Sequence, residues 1–279
     1  MVKNRFSAFL AYLMLILGLF ITIAPMIYLL STSFKPNVLL YEYPPRFFPA
    51  LKDLSFENYV EILIRESFYR NLLNSGIVTV CTVILAAFIS SAMAFCIARF
   101  NFPGKNLLFF IIMATMIIPG LALIVPLYEL ASWLHITKKL LGLIPVYAAW
   151  VIPFSTFMIK GFIENISRDF DDAVNIDGGS IFTIYRIIIL PLASPAIAAV
   201  SIFNFLTAWE EYPWALLTIT EASQRTFPIA ISQYFAAHNF TQWGFVFAMS
   251  VVSLVPIIIF YISLQKYFIV GLSAGAIKG

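Results

Sequence analysis

The side chains able to do chemistry are few and grouped. The chain has 14 Asp and Glu, 17 Lys and Arg, 2 His and 2 Cys in 279 residues. The densest acidic group is Asp169, Asp171, Asp172 and Asp177; the next is the pair Glu210-Glu211, set among Trp209, Tyr212 and Trp214. Carboxylates so placed could hold a cation, move a proton or bind a basic partner. A metal site is not expected, because His135 and His238 lie far apart and neither H-x-x-x-H nor C-x-x-C spacing occurs. A nucleotide site is not expected either. The nearest fragment to a P-loop, Pro103-Gly104-Lys105-Asn106, lacks the upstream glycine and the hydroxyl that would bind magnesium. No G-x-S-x-G stands where a nucleophile elbow could form, so the chain does not read as an enzyme. Cys81 and Cys96 share one apolar segment, where helical rise separates them by about 22 Å, too far for a disulfide.

The elements that carry these groups must face lipid. Apolar residues make up 61% and charged residues 11% of the chain, against roughly 45–50% and about 25% in soluble domains. The net charge of +3 is mild and the bases are spread along the chain, which argues against nucleic acid. An ionised group near the bilayer centre costs at least about 2.5 kcal/mol, so spans are read from charge-free windows of roughly 20 residues. Six result: 8–31, 71–98, 107–128, 141–160, 187–209 and 245–265. The predicted fold class is an all-α integral membrane protein, a single transmembrane domain over 1–279.

The apolar run of the first window is too long for a signal-peptide core and reads as an anchor. Lys3 and Arg5 precede it, which places both termini in the cytoplasm, with nine bases inside and eight outside in longer loops. Three outer segments, 35–70, 129–139 and 210–244, are long. Within the first, Leu54 to Leu63 reads as an amphipathic helix capped by Ser55.

Between the fourth and fifth spans, residues 164–180 read as a helix with its own punctuation. Ser167 is placed to cap it, Asp169 and Asp171 suit the positive end of its dipole, and Phe170, Ala173 and Val174 form an apolar stripe. Gly178 supplies a left-handed stop, and Ser180 caps the next helix. From Glu164 to Asp177 there are five acids and one base, on the side where positive charge is expected. A helix lying on lipid would be basic; this one suits a groove on a protein partner that presents basic residues. A solvated acidic loop is the plainer alternative.

The same residues carry a resemblance. Asp172-Ala173-Val174, then Asp177-Gly178, nine residues, then Ile188-Ile189-Leu190-Pro191 is similar to the E-A-A-x-x-D-G-x9-I-x-L-P loop of ABC importer permeases, with aspartate at Asp172 and valine at Val174 as departures. Further stretches resemble the carbohydrate branch, near the maltose-type second permease subunit: Ser33-Phe34-Lys35-Pro36, Asn58-Tyr59, Ala98-Arg99 through Lys105, Ala208-Trp209-Glu210-Glu211-Tyr212, and the tail from Gly271. The resemblance implies a type I ABC importer permease fold of six transmembrane helices with a cytoplasmic coupling helix, in the inner membrane of a prokaryote. It implies as partners a second six-span permease subunit, two cytosolic ATP-binding subunits that hold ATP-Mg, and an extracytoplasmic sugar-binding protein; this chain itself would carry no cofactor. Asp172, Ala173, Asp177 and Gly178 would dock the ATPase, while Ile188, Leu190 and Pro191 set the angle of the fifth span. The tail from Lys266 to Gly279 would reach toward the ATPase dimer, or simply fray.

Two outer groups complete the expectations. Trp209, Glu210, Glu211, Tyr212 and Trp214 are candidates for a substrate path, since aromatic faces stack on sugars and carboxylates accept hydroxyl protons; an ordinary interfacial aromatic belt is the alternative. Gln233, Tyr234, Asn239 and Trp243 are, by the resemblance, candidates for contacting the binding protein, against an interfacial turn. The rival functions are the same importer machinery carrying a phosphorylated polyol or peptide, a stand-alone secondary transporter, and an intramembrane acid-base enzyme. For the transporter, Pro119-Gly120 and Pro126 break the third span, yet no corresponding half repeats the break.

Overall fold

The computed structural model describes residues 5–44, 46–235 and 241–276. Helices follow one another as α1 Arg5–Ser33, α2 Glu57–Ile64, α3 Glu66–Arg99, α4 Lys105–Ala114, α5 Ile124–Trp133, α6 Leu143–Ile163, α7 Asp169–Ile176, α8 Ile181–Thr183, α9 Leu190–Leu192, α10 Ser194–Glu210, α11 Pro213–Thr218, α12 Phe227–Ser232 and α13 Trp243–Ala276. No strand occurs among the described residues. Among the described residues, four stretches are long and apolar enough to cross a membrane unbroken: Ser7–Ser33, Ser67–Arg99, Leu140–Ile163 and Trp243–Tyr267.

The third and fifth windows, expected as single spans, are each a bent pair: Lys105–Ile117 with Gly120–Trp133 at 97°, and Ile181–Leu192 with Ser194–Glu210 at 71°. The first break follows from Pro119. It forces Ile118 into extended backbone, φ −81° and ψ 119°, and helix cannot continue through it. The second is a proline effect twice over. Pro191 cannot donate to the carbonyl of Ile187, and a π-helical turn over Ile184–Ile189 precedes it. Pro195 cannot donate to the carbonyl of Pro191, so Ser194 Oγ donates there instead at 2.7 Å. The break in the third span therefore does have a counterpart in the fifth, contrary to the sequence reading.

The chain divides into two compact units. The first comprises residues 1–69 and 230–255. It is organised by Asn58, 1% exposed, whose Nδ2 donates to the carbonyls of Ser33 at 2.9 Å and Lys35 at 2.7 Å. Tyr59 and Ser33 share a hydroxyl hydrogen bond at 2.6 Å, and Gly244 N–H donates to Asn37 Oδ1 at 2.8 Å. A Cβ on Gly244 would stand 2.6 Å from Asn58 Oδ1, so only glycine permits this approach. α2 begins two residues after Ser55, whose hydroxyl accepts the N–H of Glu57 at 3.1 Å from outside the helix.

The second unit comprises residues 70–229 and 256–279. α6 packs on α10, joined in the interior by Ser155 and Asn204, which exchange hydrogen bonds at 3.1 and 3.0 Å. An apolar cluster of Ala94, Phe95, Ala98, Ile159, Ile163, Ile184, Tyr185 and Ile189 lies at the end of this unit that carries α7, with Ile166 and Val174 packed against it. The free thiols of Cys81 and Cys96 belong to exposed residues.

Candidate functional site

The acidic helix forms as α7, one residue later than a Ser167 cap would place it. Ser167 Oγ donates to Asp169 Oδ2 at 2.9 Å and accepts the Asp169 N–H at 3.3 Å, bracing the entry instead of capping the first turn. The exit is a complete Schellman turn: Gly178 N–H donates to the carbonyl of Asn175 at 3.1 Å and Gly179 N–H to that of Val174 at 2.8 Å. Gly178 sits at φ +77°, where a side chain is strained. Gly179 is needed for a different reason, since a Cβ there would lie 2.4 Å from Val174 Cγ1. Ser180 then closes a capping box with Thr183.

The stripe expected from Phe170, Ala173 and Val174 is divided between two faces. Val174 packs against the core, while Phe170, Ala173, Ile176, Asp172 and Asp177 are exposed, Phe170 at 49% and Ile176 at 86%. This free face combines two carboxylates with apolar surface. Ile188 and Leu190 are half-buried under the core cluster and Pro191 is exposed beside the bend.

Sequence reading missed the group that holds α7 in place. Arg99 Nε, on the last residue of α3, is 2.9 Å from Asp171 Oδ2, and its Nη2 donates to the carbonyl of Ile166 at 3.1 Å. The two side chains are 5% and 15% exposed. Burial pushes the Asp171 carboxyl above the usual aspartate value, opposed by Arg99 and Arg168. Asp171 Oδ1 is buried without a hydrogen-bond partner, which accords with that direction. The available signal was Arg99 itself, a lone base closing a long charge-free window.

The five residues proposed for a substrate path separate. Trp209 is 2% exposed and stacks on Phe205 at 5.7 Å; Trp214 is 2% exposed and meets Trp150 edge-on at 6.3 Å. Glu211 accepts from Tyr147 Oη at 2.5 Å and from the N–H groups of Trp214 at 2.7 Å and Ala215 at 3.0 Å, so it caps α11. Glu210 is exposed and Tyr212 half-buried. Trp209 and Trp214 thus belong to two separate buried clusters, with Tyr212 packed against the second and Glu210 exposed, and the five do not form one open surface.

In the other group, Gln233 is exposed, and Tyr234 lies under the Arg65 guanidinium at 5.7 Å and meets Phe245 edge-on at 5.6 Å. The carbonyl of Tyr234 accepts from Gln242 N–H at 3.1 Å, and Trp243 tilts against Phe247 at 5.9 Å. Asn239 lies outside the described residues. Among the described residues no group of three His, Cys, Asp or Glu could hold a metal ion.

Residues 84–271, which contain α7, its Schellman exit and both bent pairs, match the family described as "Binding-protein-dependent transport system inner membrane component". The chain belongs to this family. Among its relatives, a diacetylchitobiose uptake system permease of Streptomyces coelicolor is 29% identical over 91% of both chains. A trehalose/maltose transport system permease of Thermococcus litoralis is 32% identical over 81% of this chain and 82% of its own. A sulfoquinovosyl glycerol transport system permease of Agrobacterium fabrum is 32% identical over 99% of this chain and 93% of its own. The fold is that of a chain in a bacterial ABC transporter that imports alginate, with TM-score 0.83 at 22% identity, covering 96% of this chain and 98% of that one. This inner membrane component is therefore a multi-pass α-helical membrane protein of a binding-protein-dependent transporter.

Proposed function

We propose that this chain is one of two permease subunits of an ATP-driven importer for a sugar or oligosaccharide, and that α7 is the helix through which the cytosolic ATP-binding subunits drive it. The observation that carries the reading is the division of α7 into a face packed on its own chain and a free face of Asp172, Ala173 and Asp177 beside exposed Phe170 and Ile176. A helix end fixed by capping and packing transmits a push where a frayed loop would absorb it. The sugar cargo rests on the relatives' transport of diacetylchitobiose and trehalose or maltose.

Each bent pair counts as one span, giving six spans over a single domain with both termini in the cytoplasm and α7 on the cytoplasmic side. Ile188, Leu190 and Pro191 direct the fifth span away from α7. Glu210 and Tyr212 line the solute path, backed by Trp209, Glu211 and Trp214. Gln233, Tyr234 and Trp243, with Asn239, meet the extracytoplasmic binding protein. ATP-Mg is held by the partner subunits.

The test is Gly178→Pro in the reconstituted importer. Proline cannot adopt φ +77° and removes the N–H that closes the Schellman turn. The expected result is an assembled complex whose sugar uptake is lost and whose ATP hydrolysis no longer responds to loaded binding protein. Normal uptake would remove α7 from the coupling role.

A further inference from the structure

Adjacent acids on α7 have different destinations. Asp172 points to the free face, whereas Asp171, about 100° further round the helix, turns inward to Arg99. Arg99 lies 67 residues from Ile166 in sequence, so no short stretch of chain joins α3 to the α6–α7 turn. What joins them is the apolar cluster that Ala94, Phe95 and Ala98 of α3 share with Ile159 and Ile163 of α6, against which Ile166 and Val174 pack, and, as the polar contact to α7 itself, this guanidinium. It faces two targets at once: Nε stands 2.9 Å from the Asp171 carboxylate in the body of α7 as an ion pair without a hydrogen bond, and Nη2 donates to the Ile166 carbonyl in the turn that leads into it. An arginine gripping only a side chain would let α7 swivel; gripping both side chain and turn makes α7 and the end of α3 move together.

α3 has 34 residues and is about 50 Å long, longer than the roughly 30 Å hydrocarbon layer. A displacement received at Arg99 is thus delivered across the bilayer along one continuous helix. The bent fifth span, which follows α7 in the chain, contains a π-turn and a 71° break on its way. We propose that Arg99 is the positioning residue that makes α3 follow α7, so that the stroke of the ATP-binding subunits reaches the membrane through the Arg99–Asp171–Ile166 clamp as well as through the chain connection. The inference rests on the reading of α7 as the docking helix.

The experiment uses the whole importer in proteoliposomes, with Arg99→Ala, Arg99→Lys, Asp171→Asn and the exchange Arg99→Asp with Asp171→Arg. In every variant Asn175→Cys, on the exposed side of α7, reports docking by cross-linking to the ATP-binding subunit. Arg99→Ala is expected to keep assembly, cross-linking and unstimulated ATP hydrolysis while sugar taken up per ATP falls about tenfold. Arg99→Lys should recover part of the loss, because a point charge satisfies Asp171 and not the carbonyl. Asp171→Asn should lose less than Arg99→Ala because the bond to Ile166 remains, and the exchange should recover coupling in part.

Wild-type uptake per ATP in Arg99→Ala would overturn the inference and leave the docking reading standing. So would loss of the cross-link in Arg99→Ala, which would make Arg99 a group that only shapes α7. If the otherwise wild-type chain fails to cross-link, the docking reading falls and the inference with it.

Discussion

At the scale of single residues, Asp171 shows how stability and function separate. Burial, with a smaller contribution from Asp172, raises its carboxyl above the ordinary aspartate value despite the Arg99 ion pair, so folding favours the protonated form more than the unfolded chain does. A folded-state pKa raised in this way gives stability that is complete below the unfolded-state value and is lost as pH rises through the folded-state value. At about pH 7 Asp171→Asn should therefore unfold at the same temperature as the wild type or slightly higher. The wild type should gain on the variant as pH falls toward about 4, as followed by thermal unfolding of the purified chain in detergent. A drop in unfolding temperature at neutral pH would mean that the ion pair outweighs its desolvation. The neighbouring glycines make a steric prediction. Gly178→Ala meets no atom but must hold φ +77°, at about 1–2 kcal/mol. Gly179→Ala must push Val174 off the core cluster and should cost more, so the order of the two unfolding temperatures tests the turn.

At the scale of elements, α11 depends on Glu211. Its carboxylate accepts two backbone N–H groups and the Tyr147 hydroxyl. Glu211→Ala strands these donors and should cost about 2 kcal/mol in thermal unfolding. Glu210→Ala, at an exposed site, should leave the unfolding temperature within a degree or so while lowering uptake if it lines the path; the reverse ranking would exchange their roles. The contrast also shows what was legible in the sequence. The glycine stop of α7 and the Ser180 cap could be read directly, because caps and turns are made by residues within four positions of each other, while its start was read one residue early at Ser167. The fate of the tryptophans could not: Trp209 and Trp214 beside carboxylates have the same pattern whether they belong to an interface or to a core. Arg99 meeting Asp171, and Asn58 meeting Ser33 and Lys35, depend on how distant helices pack, and hydropathy carries no such information. The 71° bend was half visible, as Pro191, but a charge-free window over 187–209 does not register a bend.

At the scale of the whole molecule, the two bent pairs decide the topology. Each is apolar enough to cross the membrane as one span, or could enter and leave on the same side. The exposed residues Asn101, Asn175 and Gln233, together with Lys139, lie in the connections around them, so four single cysteines can separate these cases after Cys81 and Cys96 are replaced. If both pairs cross, impermeant thiol reagent added outside should label Lys139→Cys and Gln233→Cys, and should reach Asn101→Cys and Asn175→Cys only after permeabilisation. If the pair at Pro119 is re-entrant, Lys139 falls on the same side as Asn101. If the pair at Pro191 is re-entrant, Gln233 falls on the same side as Asn175. The alternating pattern is expected, because re-entry at Pro191 would put the loop around Gln233 and the docking face of α7 on a common side of the membrane, and re-entry at Pro119 alone would put α7 outside and that loop inside. An importer that takes its solute from a binding protein outside and its work from ATP inside needs that loop outside and that face inside.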